Sequence, residues 1–121
     1  MISFVIKGET PAKKNSRIIN TKTGRSFPSK RYSEWHRNAM MQLMTMRKTF
    51  TPIQEPCKIH MTFVHGDLRR RDSDNGTSSI LDLLVDCGVL SDDNWQIVKQ
   101  LSIENEYEKG NPYCKIGIEL L

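Results

Sequence analysis

The feature that most constrains the fold is a change of apolar period along residues 58–107. Over residues 58–65 apolar and polar residues alternate, which puts Ile59, Met61 and Phe63 on one face of a strand. Over residues 76–87 the spacing lengthens to three and four, so Ile80, Leu81, Leu84 and Cys87 line one side of a helix. Strand character returns over residues 96–107. A strand, a helix and a strand in succession call for a sheet with a helix laid on it.

The flanking segments extend this pattern. Residues 2–7 read as a strand with Phe4 and Ile6 on one face. Residues 30–48 read as a helix whose apolar side carries Tyr32, Trp35, Ala39, Leu43 and Met46, widened by Met40, Met41 and Met44 into core or a dimer seam. Residues 113–120 form the last strand, with Lys109, Gly110, Asn111 and Pro112 as a hairpin turn before it. Residues 8–29 are loop-like, with a short hairpin near Ile18 and Ile19, and a loop of that length signals function. Asp74 or Asn75 is expected to cap the second helix and Gly88 to end it. The expected architecture is α+β: a small mixed β-sheet with two helices in the order β-α-β-α-β-β, in one domain over residues 1–121.

Charge is divided unevenly along this chain. Residues 1–50 hold eleven Lys and Arg against two acids, a net of +9. Residues 51–121 hold seven against twelve, a net of −5, and the two halves give the overall +4. A basic half joined to an acidic half points to a polyanionic partner and a separate gathering of carboxylates. No apolar run approaches the roughly 20 residues that cross a bilayer, and Lys7 and Glu9 interrupt the apolar start that a signal peptide needs. A cytoplasmic protein without a membrane partner is expected. Cys57, Cys87 and Cys114 are odd in number and widely spaced, as suits buried thiols rather than disulfides or a zinc site.

The segment Arg69-Arg70-Arg71-Asp72-Ser73-Asp74-Asn75 carries the chemistry. In extended backbone, positions two apart face the same side, so Asp72 and Asp74 could address one point. Like charges that close repel, and a divalent cation relieves the conflict; magnesium takes a few carboxylates together with water and phosphate oxygens. Asp92 or Asp93, beyond the second helix, could add a third carboxylate, with Asp82 and Asp86 farther candidates. The three arginines add planar forks for phosphate, and Lys13, Lys14 and Arg17 extend the basic track. An EF-hand is excluded, because Gly76 falls one position early and Leu83 stands where a bidentate glutamate belongs. A helix cap with ion pairs to the arginines is the purely structural alternative.

These residues, followed by Asp86-Cys87-Gly88-Val89-Leu90 and Ser91-Asp92-Asp93-Asn94-Trp95-Gln96-Ile97-Val98, resemble the RusA family of Holliday-junction resolvases. The resemblance extends weakly to the loop at Pro11 and Arg17 and to the helix start at Tyr32. It implies a RusA-like fold and a homodimer of bacterial, prophage or phage origin. That dimer would bind four-way DNA junctions and nick two strands symmetrically with Mg2+, or Mn2+ in its place, leaving ends a ligase can seal. By position it makes Asp72, Asp74 and Asp93 the catalytic and metal-binding carboxylates, with Lys13, Lys14, Arg17, Arg69, Arg70 and Arg71 as the DNA-binding set. One departure stands out: Ser78 occupies the position, four after the second aspartate, where the family often has lysine. Two alternatives follow, a nuclease for flaps or forks and a nonenzymatic binder of branched DNA.

Overall fold

The computed structural model describes residues 1–13, 17–46 and 51–121; for Arg17 and Ile18 it describes the backbone only. Strand β1 (Ile2–Lys7) is followed by a two-stranded hairpin, β2 (Arg17–Ile19) and β3 (Ser26–Pro28), and by helix α1 (Lys30–Met46). Then come β4 (Cys57–His65), α2 (Thr77–Asp86), β5 (Val98–Tyr107) and β6 (Tyr113–Leu120). The α+β class and the expected order hold, with the hairpin foreseen near Ile18 set between β1 and α1.

The main sheet has the order β1-β6-β4-β5. Strand β4 runs parallel to β5 and antiparallel to β6, so β4-α2-β5 is a crossover unit with α2 as the crossover. The expected hairpin between β5 and β6 is therefore corrected: these strands flank β4, and residues 108–112 bridge its end. Two backbone bonds hold that bridge, Glu108 N–H to the His65 carbonyl at 3.0 Å and Gly110 N–H to the Gly66 carbonyl at 2.9 Å. A one-residue view of turn chemistry could not distinguish a bridge over one strand from a tight hairpin.

One face of the sheet is apolar and the helices cover it. Phe4 and Ile6 of β1, Cys57, Ile59, Met61 and Phe63 of β4, and Cys114, Ile116 and Ile118 of β6 all join one buried cluster. Ala39 and Leu43 of α1 and Ile80, Leu83 and Leu84 of α2 complete it. The opposite face carries Lys58, His60, Glu104, Lys115 and Glu119 around a surface depression, and its glutamates suit it poorly to DNA. Among the described residues no helix is long and apolar enough to cross a membrane.

Helix α1 buries a narrower stripe than expected. Tyr32, Ala39 and Leu43 are buried, whereas Met41, Met44 and Met46 are exposed. Period alone overestimated the width of the contact face, because the sheet meets the helix along one row. Helix α2 departs at its start: Gly76 is the N-cap and no side chain caps it, which corrects the cap expected of Asp74 or Asn75. Its end follows expectation. Gly88 adopts φ +76° and donates to the Val85 carbonyl at 3.0 Å, while Val89 donates to Leu84 at 2.9 Å, the paired bonds of a Schellman stop. Ile53 N–H then donates to the Val89 carbonyl and the Ile53 carbonyl accepts from Ser91 N–H, which lays Leu90 parallel to the segment leading into β4. The three cysteines are buried free thiols; burial pushes Cys114 up to about 12 and Cys87 up to about 11.

Candidate active site

Asp72 and Asp74 lie in consecutive turns, not in extended backbone. Asn75 N–H donates to the Asp72 carbonyl and Thr77 N–H to the Asp74 carbonyl, both at 3.1 Å. The alternation argument for their shared direction is thus corrected, because the chain must turn sharply to enter α2. Both side chains are exposed. Gly76 permits the turn to dock: a Cβ there would stand 2.7 Å from Phe63 and 2.8 Å from Thr10.

The acidic turn is held from β5. Asn105 Nδ2 donates to the carbonyl of Ser73, between the two aspartates, at 2.9 Å. That leaves Asn105 Oδ1 facing His65 Nε2 at 2.8 Å, and His65 Nδ1 meets Glu9 Oε2 at 2.7 Å. Both ring nitrogens face side-chain oxygens, so the imidazole is pinned at each end. The other Glu9 oxygen accepts from Gly66 N–H at 3.3 Å and forms an ion pair with Arg71 at 3.2 Å. Sequence reasoning missed Glu9, His65 and Asn105, because partners 56 and 40 positions apart leave no local spacing signal.

This network also separates the arginines. Arg71 bonds Asp67 at 2.9 Å, and only 14% of its side chain is exposed. It is an inward strut, far more enclosed than Arg69. Asp67, hydrogen-bonded by the Arg69 amide and by Arg71, has its carboxyl held below the usual aspartate range. Arg69 is 79% exposed beside Asp67, and Arg70 is exposed too. Lys13 pairs with Asp82 on α2, and its loop is pinned there by the buried Ser79 hydroxyl, which donates to the Pro11 carbonyl at 2.5 Å. Lys14 lies outside the described residues, as does the Arg17 side chain. Ser78 is exposed on α2, one turn before Asp82.

Asp92 and Asp93 play different parts. Asp92 Oδ1 accepts from Asp93 N–H at 2.7 Å and its Oδ2 from Asn94 Nδ2 at 3.0 Å, and these bonds hold its carboxyl low. Asp93 has its carboxyl raised, first by desolvation, then by hydrogen bonding to Asp92 and by the charges of Asp92 and Asp82. Asp92 braces the turn, whereas the surroundings of Asp93 disfavour its ionised form. These hard oxygen donors fit magnesium or manganese in chemistry. Yet no group of three or more His, Cys, Asp or Glu is placed to hold a metal ion among the described residues, so the three aspartates expected to act together are not gathered about one point.

Comparison with known proteins supplies the remaining finding. Residues 8–119 match the family model of endodeoxyribonuclease RusA. A relative from Aquifex aeolicus (strain VF5), named crossover junction endodeoxyribonuclease RusA, is 28% identical over 100 residues. That alignment covers 83% of this chain and 77% of the relative.

Proposed function

The chain belongs to the RusA endodeoxyribonuclease family, and from that premise we propose that it cuts four-way DNA junctions by paired metal-dependent nicks in recombination and repair. The reading further takes the chain as one domain over residues 1–121, acting as a homodimer in the cytoplasm with magnesium as cofactor. The observation that carries it is the clamped acidic turn: Asp72 and Asp74 stand exposed on a backbone fixed by Asn105, with exposed Arg69 and Arg70 just before them.

Each group then has a defined task. Arg69 and Arg70 attract and orient phosphates, and their exposure suits contacts that hold a backbone without reading its sequence. Asp72 and Asp74 on their shared turn, with Asp93 from the turn after α2, are the carboxylates that would have to close on a cation to hold it, since the structure does not gather them about one point. The cation would supply activation of water and stabilisation of charge on the reacting phosphate. Asp92 and Asn94 keep the Asp93 backbone in place through their mutual bonds. The Asn105–His65–Glu9 chain resists displacement of the Asp72–Asp74 turn when DNA loads it. Lys13, drawn to Asp82, brings an ammonium to the helix that carries Ser78 in place of lysine.

Two observations favour a second reading, a nonenzymatic binder of branched DNA: Ser78, and three aspartates not gathered about one point. A cleavage assay with magnesium on a fixed four-way junction, a flap and linear duplex separates the readings. Symmetric junction nicking by the wild type, abolished in Asp74→Asn with junction binding retained, is the expected result. Preferential flap cutting would redirect the substrate, and binding without any cutting would establish the nonenzymatic reading.

A further inference from the structure

Trp95 is 72% exposed. An indole left in water forfeits one of the largest apolar contributions a side chain can make, and nothing about its loop is loose. The Asn94 carbonyl accepts from Val98 N–H at 2.9 Å, and the Asn94 side chain accepts from Gln96 N–H at 2.9 Å. The next residue but one, Ile97, is buried in the core. A turn braced this well holds Trp95 outward, two residues beyond Asp93. Lys99, the second residue of β5, holds its ammonium 4.6 Å from the indole centroid.

An aromatic face with a lysine at its side meets the two chemical needs of unpaired nucleic acid, a stacking surface and a countercharge for the adjoining phosphate. Paired bases inside a duplex offer no free π-face, whereas the centre of a branched structure does. The depression on the far sheet face lacks this combination, since it gathers glutamates and no tryptophan. We propose that Trp95, with Lys99, forms a stacking site for an unpaired nucleobase of branched or single-stranded DNA. This deepens the nuclease reading and rests on it for the branched substrate, although the stacking chemistry itself requires no cleavage.

The test is run without metal, in EDTA, so that binding is read apart from cleavage. The chain has two tryptophans, and a Trp35→Phe background leaves Trp95 as the sole indole reporter. Its emission should be quenched by an oligo-dT strand and by a four-way junction carrying 2-aminopurine at its centre, and much less by linear duplex. Trp95→Ala should weaken binding to junction and oligo-dT by about 5- to 100-fold while leaving duplex binding within about twofold, and Trp95→Phe should restore most of the loss. Lys99→Ala should weaken both single-stranded and junction binding by a smaller factor.

Equal affinity of wild type and Trp95→Ala for oligo-dT and junction would overturn the proposal. So would equal losses on duplex and junction, or a change of oligomeric state in Trp95→Ala by sedimentation, which would mark the indole as a protein contact. Junction cleavage by a wild type whose Trp95 is not quenched would sink the stacking site and keep the nuclease reading. Quenching by oligo-dT in a protein that cuts nothing would do the reverse.

Discussion

Asn105 reaches from the edge strand β5 to the acidic turn and donates to the Ser73 carbonyl at 2.9 Å. One amide side chain thereby fixes the peptide between Asp72 and Asp74, and it is itself oriented by His65. Removing it should disturb geometry more than stability. Asn105→Ala is expected to lower the melting temperature modestly, by the ~1 kcal/mol of one hydrogen bond, and to reduce kcat for junction cleavage by roughly 10- to 100-fold with KM little changed. Asn105→Asp should be worse, because a carboxylate would face a carbonyl. Wild-type kcat in Asn105→Ala would remove the clamp from the mechanism.

The three arginines are expected to behave in opposite ways. Arg71, bonded to Glu9 and Asp67, should cost about 1–3 kcal/mol when replaced by alanine, since Glu9 loses its cation. The salt dependence of DNA binding should stay unchanged. Arg69→Ala and Arg70→Ala should leave stability within about 0.5 kcal/mol and each reduce the slope of log K against log salt by about 0.9. Urea melts and binding titrations at several salt concentrations check both halves. A flattened slope in Arg71→Ala alone would return that residue to the interface.

The contrast among the arginines shows where sequence was informative. Period carried most of the fold, because β1, β4, β6 and α2 each bury one face and the alternation of Phe4, Ile6, Ile59, Met61, Phe63, Ile116 and Ile118 records it. It failed where position depends on the whole sheet. Strand β5 is exposed along most of its length, so nothing in its pattern announces a parallel pairing with β4. The aspartates were visible as a local cluster, whereas Glu9, His65 and Asn105 come together only through folding. Consecutive arginines look equivalent in sequence; Arg71 differs because Asp67 and Glu9 lie on its side of the loop.

Two glycines flanking α2 should fail for different reasons. Gly76→Ala places a methyl 2.7 Å from Phe63 and 2.8 Å from Thr10, an overpacking expected to cost about 1–3 kcal/mol. Gly88→Ala meets no neighbour within 4 Å, but it must hold φ +76°, at a cost of about 1 kcal/mol. In chemical denaturation both midpoints should fall. Only Gly76→Ala should also impair cleavage, because its clash shifts the turn that carries Asp74. Equal cleavage by the two variants would detach the docking of Gly76 from the site.

Asp93 and Asp92 are neighbours whose stability effects should have opposite sign. Asp93 has a raised carboxyl in the folded chain, caused first by desolvation and then by Asp92 and Asp82. For such a group the favourable contribution of the protonated form is complete below the unfolded pKa and is lost as pH rises through the folded one. At pH 7 in EDTA the ionised Asp93 is therefore a liability, and Asp93→Asn should raise the melting temperature while abolishing cleavage. That gain should vanish on acidification below the ordinary aspartate range. Asp92 has a lowered carboxyl, held by Asn94 and the Asp93 amide, so its contribution is present above the unfolded pKa and is lost as pH falls through the folded one. Asp92→Asn should therefore lower the melting temperature at pH 7, with the deficit shrinking in acid. Melting curves of both variants from pH 7 to pH 3 decide the matter, and destabilisation by Asp93→Asn at pH 7 would make Asp93 a second brace of the turn rather than the carboxylate kept for a cation.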